Sequence, residues 1–393
     1  HSFPTRRSSD LRNKFRKEMK EEIKMKRAAA AAISLMTGLA MLTGCSRAEV
    51  EETIQPLVAD AIEESDSEAE AVKEEDESPL IPEIDTDIKI HAGSRIAVVS
   101  KCVKGEYWKM VKKGMEDAVK EINKAYGYKK DDQITMTFEG PDNEEDVETQ
   151  INTIDAVIAE NPDVLCISAS DMDSCEAQLE AAKENGIPVI AFDSNVAEKK
   201  LVKAYRGTDN VQVGKMAAYQ LGSALGKMGK VAVFSAQQKT KSVQDRVEGF
   251  MNNIGKYGDI EVVETIYSDQ VDDMEASMKE VLEKYPTLDG VFCTNADITE
   301  MYLNLEKSDE HDAPALVGVD ATTKQQEAIR NGEEIGCVSQ QPYAMGYQTI
   351  WAAVETTAPK KSVVIEKNVL SNPAWIDADC LDDPDYSGYL YTE

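Results

Sequence analysis

Six polar residues close short apolar runs: Ser100 after IAVV, Ser168 after VLCI, Asp193 after VIAF, Asn295 after VFCT, Asp320 after LVGV and Gln340 after CVS. Apolar runs this short, bounded by turn residues, read as buried strands. In open parallel sheets, ligands bind beyond the carboxyl ends of the strands. Asp, Asn, Ser and Gln supply acceptors and donors there, which is the chemistry of holding a polar molecule. Asp, Asn and Ser at a strand end are also common helix caps or turn residues, so the weight lies in six polar residues recurring at equivalent places. Two further pieces fit the same chemistry. Tyr107-Trp108 follows the first run, and an aromatic face packs well on the C–H face of a sugar ring. Arg246, in SVQDRVEGF after the sixth run, carries a planar fork suited to paired hydroxyls.

The elements that must position these residues alternate in type. Strands are predicted over 96–100, 134–140, 164–168, 188–193, 202–208, 231–237, 261–268, 290–295, 315–320, 335–341 and 363–370. Helices are predicted over 107–125, 146–160, 171–185, 210–228, 241–257, 272–284, 322–331 and 343–356. The helix 171–185 carries Ala177, Leu179, Ala181 and Ala182 as apolar positions, with Asp171 as its expected N-cap and Gly186 with Pro188 as its stop. Strand–helix alternation with near-continuous apolar strands predicts an α/β fold with parallel sheets covered on both faces. Eleven strands exceed a comfortable single sheet, so two α/β domains of repeated layout are expected.

Charge divides the 393-residue chain in three. Residues 1–48 hold 11 basic and 4 acidic side chains, residues 49–87 hold 1 and 16, and the remainder is moderately acidic, for a net −30. That balance excludes a nucleic-acid binder working through a basic surface. With 42% hydrophobic residues, wholesale disorder is excluded too. Residues 25–45, MKRAAAAAISLMTGLAMLTGC, have a charged start and an apolar run too short to span a bilayer, which fits a signal peptide. Their Leu-Thr-Gly-Cys end resembles a bacterial lipobox, which implies acylation at Cys45 and anchorage to the membrane. Residues 1–24 are expected to be a non-native leader, with translation starting at Met19 or Met25. Residues 46–87, dense in carboxylates, cannot bury a core and read as an acidic disordered tether. The six other cysteines show no CxxC pair, and those in strand-like runs read as buried thiols.

From Arg95 onward the body resembles the type I periplasmic binding proteins, the ribose- and galactose-binding receptors of sugar transporters. The resemblance covers residues 94–370. It is carried, in order, by GEYWKMVKKGMEDAVKE, ENGIPVIAFDSN, GTDNVQVGKMAA, DRVEGFMNNI, GVFCTNADI, ALVGVDATTKQQEAI and CVSQQPYAMGY. It implies two Rossmann-like lobes joined by hinge strands: lobe 1 at 94–206 plus 342–370, lobe 2 at 207–341, and a tail, 371–393, packed on a lobe. Crossings would fall near Gly207-Thr208, Gln341-Pro342 and Ser371-Asn372-Pro373. By the same resemblance Tyr107 and Trp108 fall where the family stacks rings on the sugar. Ser168 falls at an amide-ligand position and Asp193 at a hydroxyl-binding one, while Arg246, Asn295, Asp320 and Gln340 match ligand residues of the second lobe and hinge. Three positions depart from ribose-type receptors: Ser194 stands where they carry Arg, Gly105 where they carry Asn, and Val271 where they carry an aromatic ring.

The resemblance implies a monomeric, extracytoplasmic receptor that captures a sugar or related polyol by lobe closure and delivers it to the permease of an ABC transporter. Two alternatives share the fold: a ligand-sensing subunit for a membrane kinase, and the core of a lactose-repressor-like regulator. The second needs a DNA-binding headpiece, in place of which this chain has a signal and an acidic spacer. No GxxxxGK[ST], GxSxG or HExxH motif occurs, and Gly222, Gly226 and Gly229 do not sit on a strand-to-helix turn, so catalysis and a bound cofactor are not expected. Asp142, Glu144, Asp146 and Glu148 alternate as calcium-loop ligands do but lack the central glycine. They read as a capped helix start, and no metal is expected.

Overall fold

The computed structural model describes residues 81–305, 313–359 and 362–392. Cys45, the signal segment and most of the acidic segment lie outside the described residues. The described residues form twelve strands: β1 (Arg95–Val99), β2 (Thr135–Glu139), β3 (Val164–Ile167), β4 (Val189–Phe192), β5 (Ala204–Thr208), β6 (Met228–Ser235), β7 (Asp259–Tyr267), β8 (Gly290–Cys293), β9 (Ala315–Val319), β10 (Gly336–Ser339), β11 (Asn368–Ser371) and β12 (Ala374–Ile376). The helices are α1 (Gly105–Tyr126), α2 (Val147–Ala159), α3 (Glu176–Glu184), α4 (Asn210–Ala224), α5 (Lys241–Ile254), α6 (Met274–Lys284), α7 (Ala296–Leu303), α8 (Thr323–Asn331) and α9 (Pro342–Glu355).

The strands form two six-stranded sheets of matching order, β11-β5-β4-β3-β1-β2 and β12-β10-β9-β8-β6-β7. Every pairing in the first sheet is parallel, and in the second only β12 runs antiparallel, against β10. The central strands β3, β4, β8 and β10 are buried at every residue, as expected of sheets covered on both faces. The chain leaves the first sheet after β5, leaves the second after β10, rejoins the first at β11 and returns to the second at β12.

The helices at the first two of these crossings are exchanged between the sheets. α4, which follows β5, packs on α5 and β9; α9, which follows β10, packs on α1 and on β3, β4 and β5. Both helix pairs make backbone-to-backbone contact through glycine. A Cβ on Gly214 of α4 would lie 1.9 Å from the Arg246 carbonyl oxygen, and one on Gly346 of α9 would lie 2.1 Å from that of Val111. Glycine costs about 1 kcal/mol inside a helix, so its presence at the contact reflects the need for close approach. The contact also fixes α5, and with it Arg246.

Several boundaries differ from the sequence reading for physical reasons. Asp171 does not cap α3. It accepts from the amides of Asp173 and Ser174 in a preceding turn, and the helix starts five residues later at Glu176. The helix predicted over 210–228 stops at Ala224, where Gly226 and Lys227 adopt positive φ and Met228 opens β6. The eight-residue helix α7, capped by Asn295, and the three-residue strand β12 are too short to give a periodic signal. The expected tether ends before residue 87: Ile84 and Ile88 pack against the first core, and Tyr126 Oη donates to the carbonyls of Asp85 and Ile88. Asp146 caps α2 by accepting from Thr149 N, as the helix-start reading requires.

One buried acid, in the turn between α8 and β10, sets a pH dependence. Glu334 is 1% exposed; its Oε1 accepts from Gln325 Nε2 at 3.3 Å, while Oε2 has no hydrogen-bond partner. Burial pushes its carboxyl up to about 8 from the ordinary 4.5. The native state therefore keeps a proton that the unfolded chain gives up above 4.5, and stability falls as pH rises through that window, by at most ~1.4 kcal/mol per pH unit. Glu334→Gln should flatten the dependence and raise stability near pH 8, measured by urea unfolding at pH 5 and pH 8. An unchanged difference between the two pH values would show that Glu334 is ionised in the native state.

Candidate functional site

The carboxyl ends of both sheets face one another across a cavity of about 260 Å3, within the reach of small-molecule pockets. Seven of the eight predicted site residues line it: Tyr107, Trp108, Asp193, Arg246, Asn295, Asp320 and Gln340. The eighth, Ser168, does not. Its Oγ donates to Asp193 Oδ2 at 2.7 Å, so it supports the cavity wall from behind. Ser100 is also structural, donating to the carbonyls of Cys102 and Glu139.

Asp193 and Asp320 are the two poles. Each directly follows the equivalent strand of its sheet, β4 or β9, and each takes a left-handed backbone, φ 54° and 77°. Non-glycine residues rarely sit there, although Asp tolerates it better than most; such strain gathers at functional sites. Both side chains are 4% exposed. Asp193 Oδ1 accepts from Tyr107 Oη at 2.6 Å, and Oδ2 meets Ser168 Oγ and, at 3.1 Å, Lys101 Nζ. Burial alone would raise this carboxyl, but Lys101 and the two hydroxyls outweigh it and hold it below its ordinary range.

Lys101 is a buried charge of the cavity wall that the sequence reading missed. Its ammonium is 3.1 Å from Asp193 and 3.6 Å from Glu144. Burial pulls it down, yet those two carboxylates prevail and raise it above its ordinary value. The signal was available, since Lys101 is the first charged residue past the first strand. Ser194, where ribose-type receptors place an arginine, instead accepts at Oγ from Ser242 N. The cation beside Asp193 comes from the end of β1 rather than from the residue that follows the aspartate.

On the opposite wall, Asp320 Oδ1 accepts from Gln340 Nε2 (2.7 Å) and Tyr391 Oη (2.9 Å), and Oδ2 from Ala296 N (3.0 Å). Arg246, in the second turn of α5, is locked by Nε donating to Asn210 Oδ1 and Nη1 to Thr294 O, both at 2.8 Å. Asn295 caps α7 through Oδ1 to Ile298 N, which leaves its amide nitrogen as a donor beside the cavity. It serves as cap and lining residue at once.

The paired rings are walls more than open platforms. Tyr107 and Trp108 are 7% and 3% exposed and meet edge-to-face at 5.1 Å. Trp108 Nε1 donates to Glu144 Oε1 at 2.7 Å, and Lys101 Nζ lies over the indole, 5.7 Å from its centroid. At the mouth, Asp297 is exposed; partial desolvation and the carboxylates of Glu144, Glu300 and Asp320 push its carboxyl upward, an effect that water screens.

Hydrogen bonds across the cleft hold the two sheets together. Thr323 N donates to Glu106 Oε2 (2.7 Å), Gln237 Nε2 to Glu144 O (2.9 Å), Thr240 Oγ1 to Ser170 O (2.5 Å) and Met172 N to Lys239 O (3.1 Å). The arrangement is a closed one.

Removing one member of a buried ion pair strands the other, at a cost of about 3 kcal/mol or more. Lys101→Met should lower unfolding stability by that order at neutral pH, and Lys101→Met/Asp193→Asn should recover part of it. The sign follows from the pair. Asp193's contribution is present above the unfolded carboxylate range and is lost as pH falls through its depressed native value. The loss in Lys101→Met should therefore shrink in acid, in urea titrations at pH 7 and pH 3; an equal loss at both would refute the pairing.

The family model described as "Periplasmic binding protein domain" matches residues 96–361. The ribose import binding protein of Bacillus subtilis (strain 168) is 26% identical over 220 residues, which cover 56% of this chain and 71% of that protein. Among solved structures, a solute binding protein of an ABC transporter from Agrobacterium vitis, with bound D-fucose, superposes with a TM-score of 0.68 at 26% identity, covering 76% of this chain and 100% of that one. One from Agrobacterium radiobacter, in complex with D-arabinose, gives 0.66 at 25% identity, covering 76% and 99%. The matching sheet orders, the cleft between the sheets and these similarities lead to one conclusion: the chain belongs to the periplasmic binding protein family.

Proposed function

We propose that the protein is the extracytoplasmic substrate-binding component of an ABC importer, and that it captures a sugar or related polyol in the cavity between its sheets. One observation carries the reading. Asp193, Lys101, Arg246, Asn295, Asp320 and Gln340, drawn from the ends of strands and the starts of helices in both halves, converge on a single cleft. Carboxylates accept from hydroxyls, while Lys, Arg and amide groups donate to them, so the set suits a neutral ligand with hydroxyls on several sides. The sugar-bound relatives support the ligand class.

The two sheets, with their exchanged helices, serve as lobes, and the crossings at 208–210, 340–342 and 371–374 serve as the hinge. Ligand spanning both walls favours the closed state by contacts that the open state lacks. In a closed site each polar group left unpaired costs about 1–3 kcal/mol, which gives selectivity. Acylation at Cys45 would keep the receptor at the membrane, beside its permease, with the acidic segment as spacer.

Isothermal titration against pentoses, hexoses, deoxyhexoses and pentitols tests the reading. At least one should bind with a Kd below about 100 μM, and Asp320→Ala should weaken it about 100-fold or more. No binding across the panel, or full affinity in Asp320→Ala, would remove the sugar assignment.

A further inference from the structure

The segment after β12 buries a tyrosine inside the molecule. After a 3-10 turn at Pro384–Tyr389, the chain is pinned to the second sheet at three points. Ser339 Oγ donates to Tyr389 O (2.5 Å), Tyr391 N to Ala321 O (3.0 Å) and Gln326 Nε2 to Tyr391 O (2.8 Å). These bonds deliver the Tyr391 side chain, 1% exposed, into the gap between the sheets. Its hydroxyl donates to Asp320 Oδ1 at 2.9 Å, and its ring lies 5.9 Å from that of Tyr107. Tyr107 in turn donates to Asp193 Oδ1 at 2.6 Å.

The four side chains form a continuous link, Asp193–Tyr107–Tyr391–Asp320, and the link repeats the symmetry of the fold. Each aspartate at an equivalent strand end is held by one tyrosine hydroxyl supplied from elsewhere in the chain. Burial, followed by the neighbouring carboxylate, raises both phenols well above their ordinary value, so both remain donors. Tyr391 does not itself line the cavity. It acts on Asp320, whose Oδ1 would otherwise keep only Gln340 as a donor.

We infer that Tyr391 is a positioning residue of the ligand cavity: from the end of the chain it orients Asp320 toward the ligand and, through the Tyr107 ring, ties that carboxylate to Asp193 in the opposite sheet. The inference rests on reading the cavity as a sugar site, so the test has an arm that needs no sugar.

Tyr391→Phe keeps the ring and deletes only the hydroxyl. Wild type, Tyr391→Phe, Asp320→Asn and the double variant are titrated with the member of the pentose, hexose, deoxyhexose and pentitol panel that wild type binds best. Tyr391→Phe should lose about tenfold in affinity while its unfolding temperature stays within about 2 °C, and should lose nothing further in the Asp320→Asn background. In the ligand-free protein, amide exchange at Ala296, whose N–H is held by Asp320 Oδ2, should quicken several-fold in Tyr391→Phe. Exchange at Ile298, held by Asn295, should not change. Unchanged Ala296 exchange, or equal affinity losses with and without the Asp320 carboxylate, overturns the inference. If no sugar binds, the functional reading fails while the exchange result still decides the role of Tyr391.

Discussion

Two carboxylates buried at the ends of parallel strands are the constraint that shapes the rest of this molecule. An ionised carboxylate taken out of water is tolerated only when charges and donors replace the lost solvation. Asp193 obtains them from Lys101, Tyr107 and Ser168, and Asp320 from Gln340, Tyr391 and the Ala296 amide. Each donor belongs to a different element, so satisfying the two aspartates requires that strands, helix starts and the segment after the last 3-10 turn all be in place. Each carboxylate is thereby fixed within its own wall of the site. Fixed positions let a few polar groups discriminate among similar polyols, because a misplaced hydroxyl leaves a buried partner unpaired.

The repeated architecture explains how the two halves cooperate. Both sheets run in the same strand order, and each accepts a helix that follows a strand of the other, β5 or β10. The exchange places α4 against Arg246 and α9 against α1, the helix that carries Tyr107 and Trp108. Chain crossings and cavity-lining residues are therefore neighbours. A change in the angle between the sheets alters the spacing of the two aspartates directly, without passing through a long relay.

The sequence revealed the strand ends well because the strands are short, apolar and buried on both sides, so the first polar residue past each run marks the sheet edge. Asp193, Asn295, Asp320 and Gln340 were legible on that ground, and Tyr107, Trp108 and Arg246 by their side-chain chemistry together with the family resemblance. Ser168 obeys the same rule yet turns behind Asp193, since position along a strand does not say which wall a side chain joins. Lys101 was passed over because a lysine after a strand is ordinarily a solvated charge; only the fold sets it between Asp193 and Glu144. Tyr391 was beyond reach, because its contact with Asp320 spans 71 residues and depends on β12 and the final turn. The helix α7 and strand β12 carry too few residues for a period to show.

The most direct measurement is a crystal structure of the protein with its tightest-binding sugar. The account predicts one molecule in the enclosed cavity, with hydroxyls within hydrogen-bond distance of both Asp193 and Asp320. A sugar bound outside the cleft, or one that touches the residues of a single sheet with the other carboxylate facing water, would contradict it.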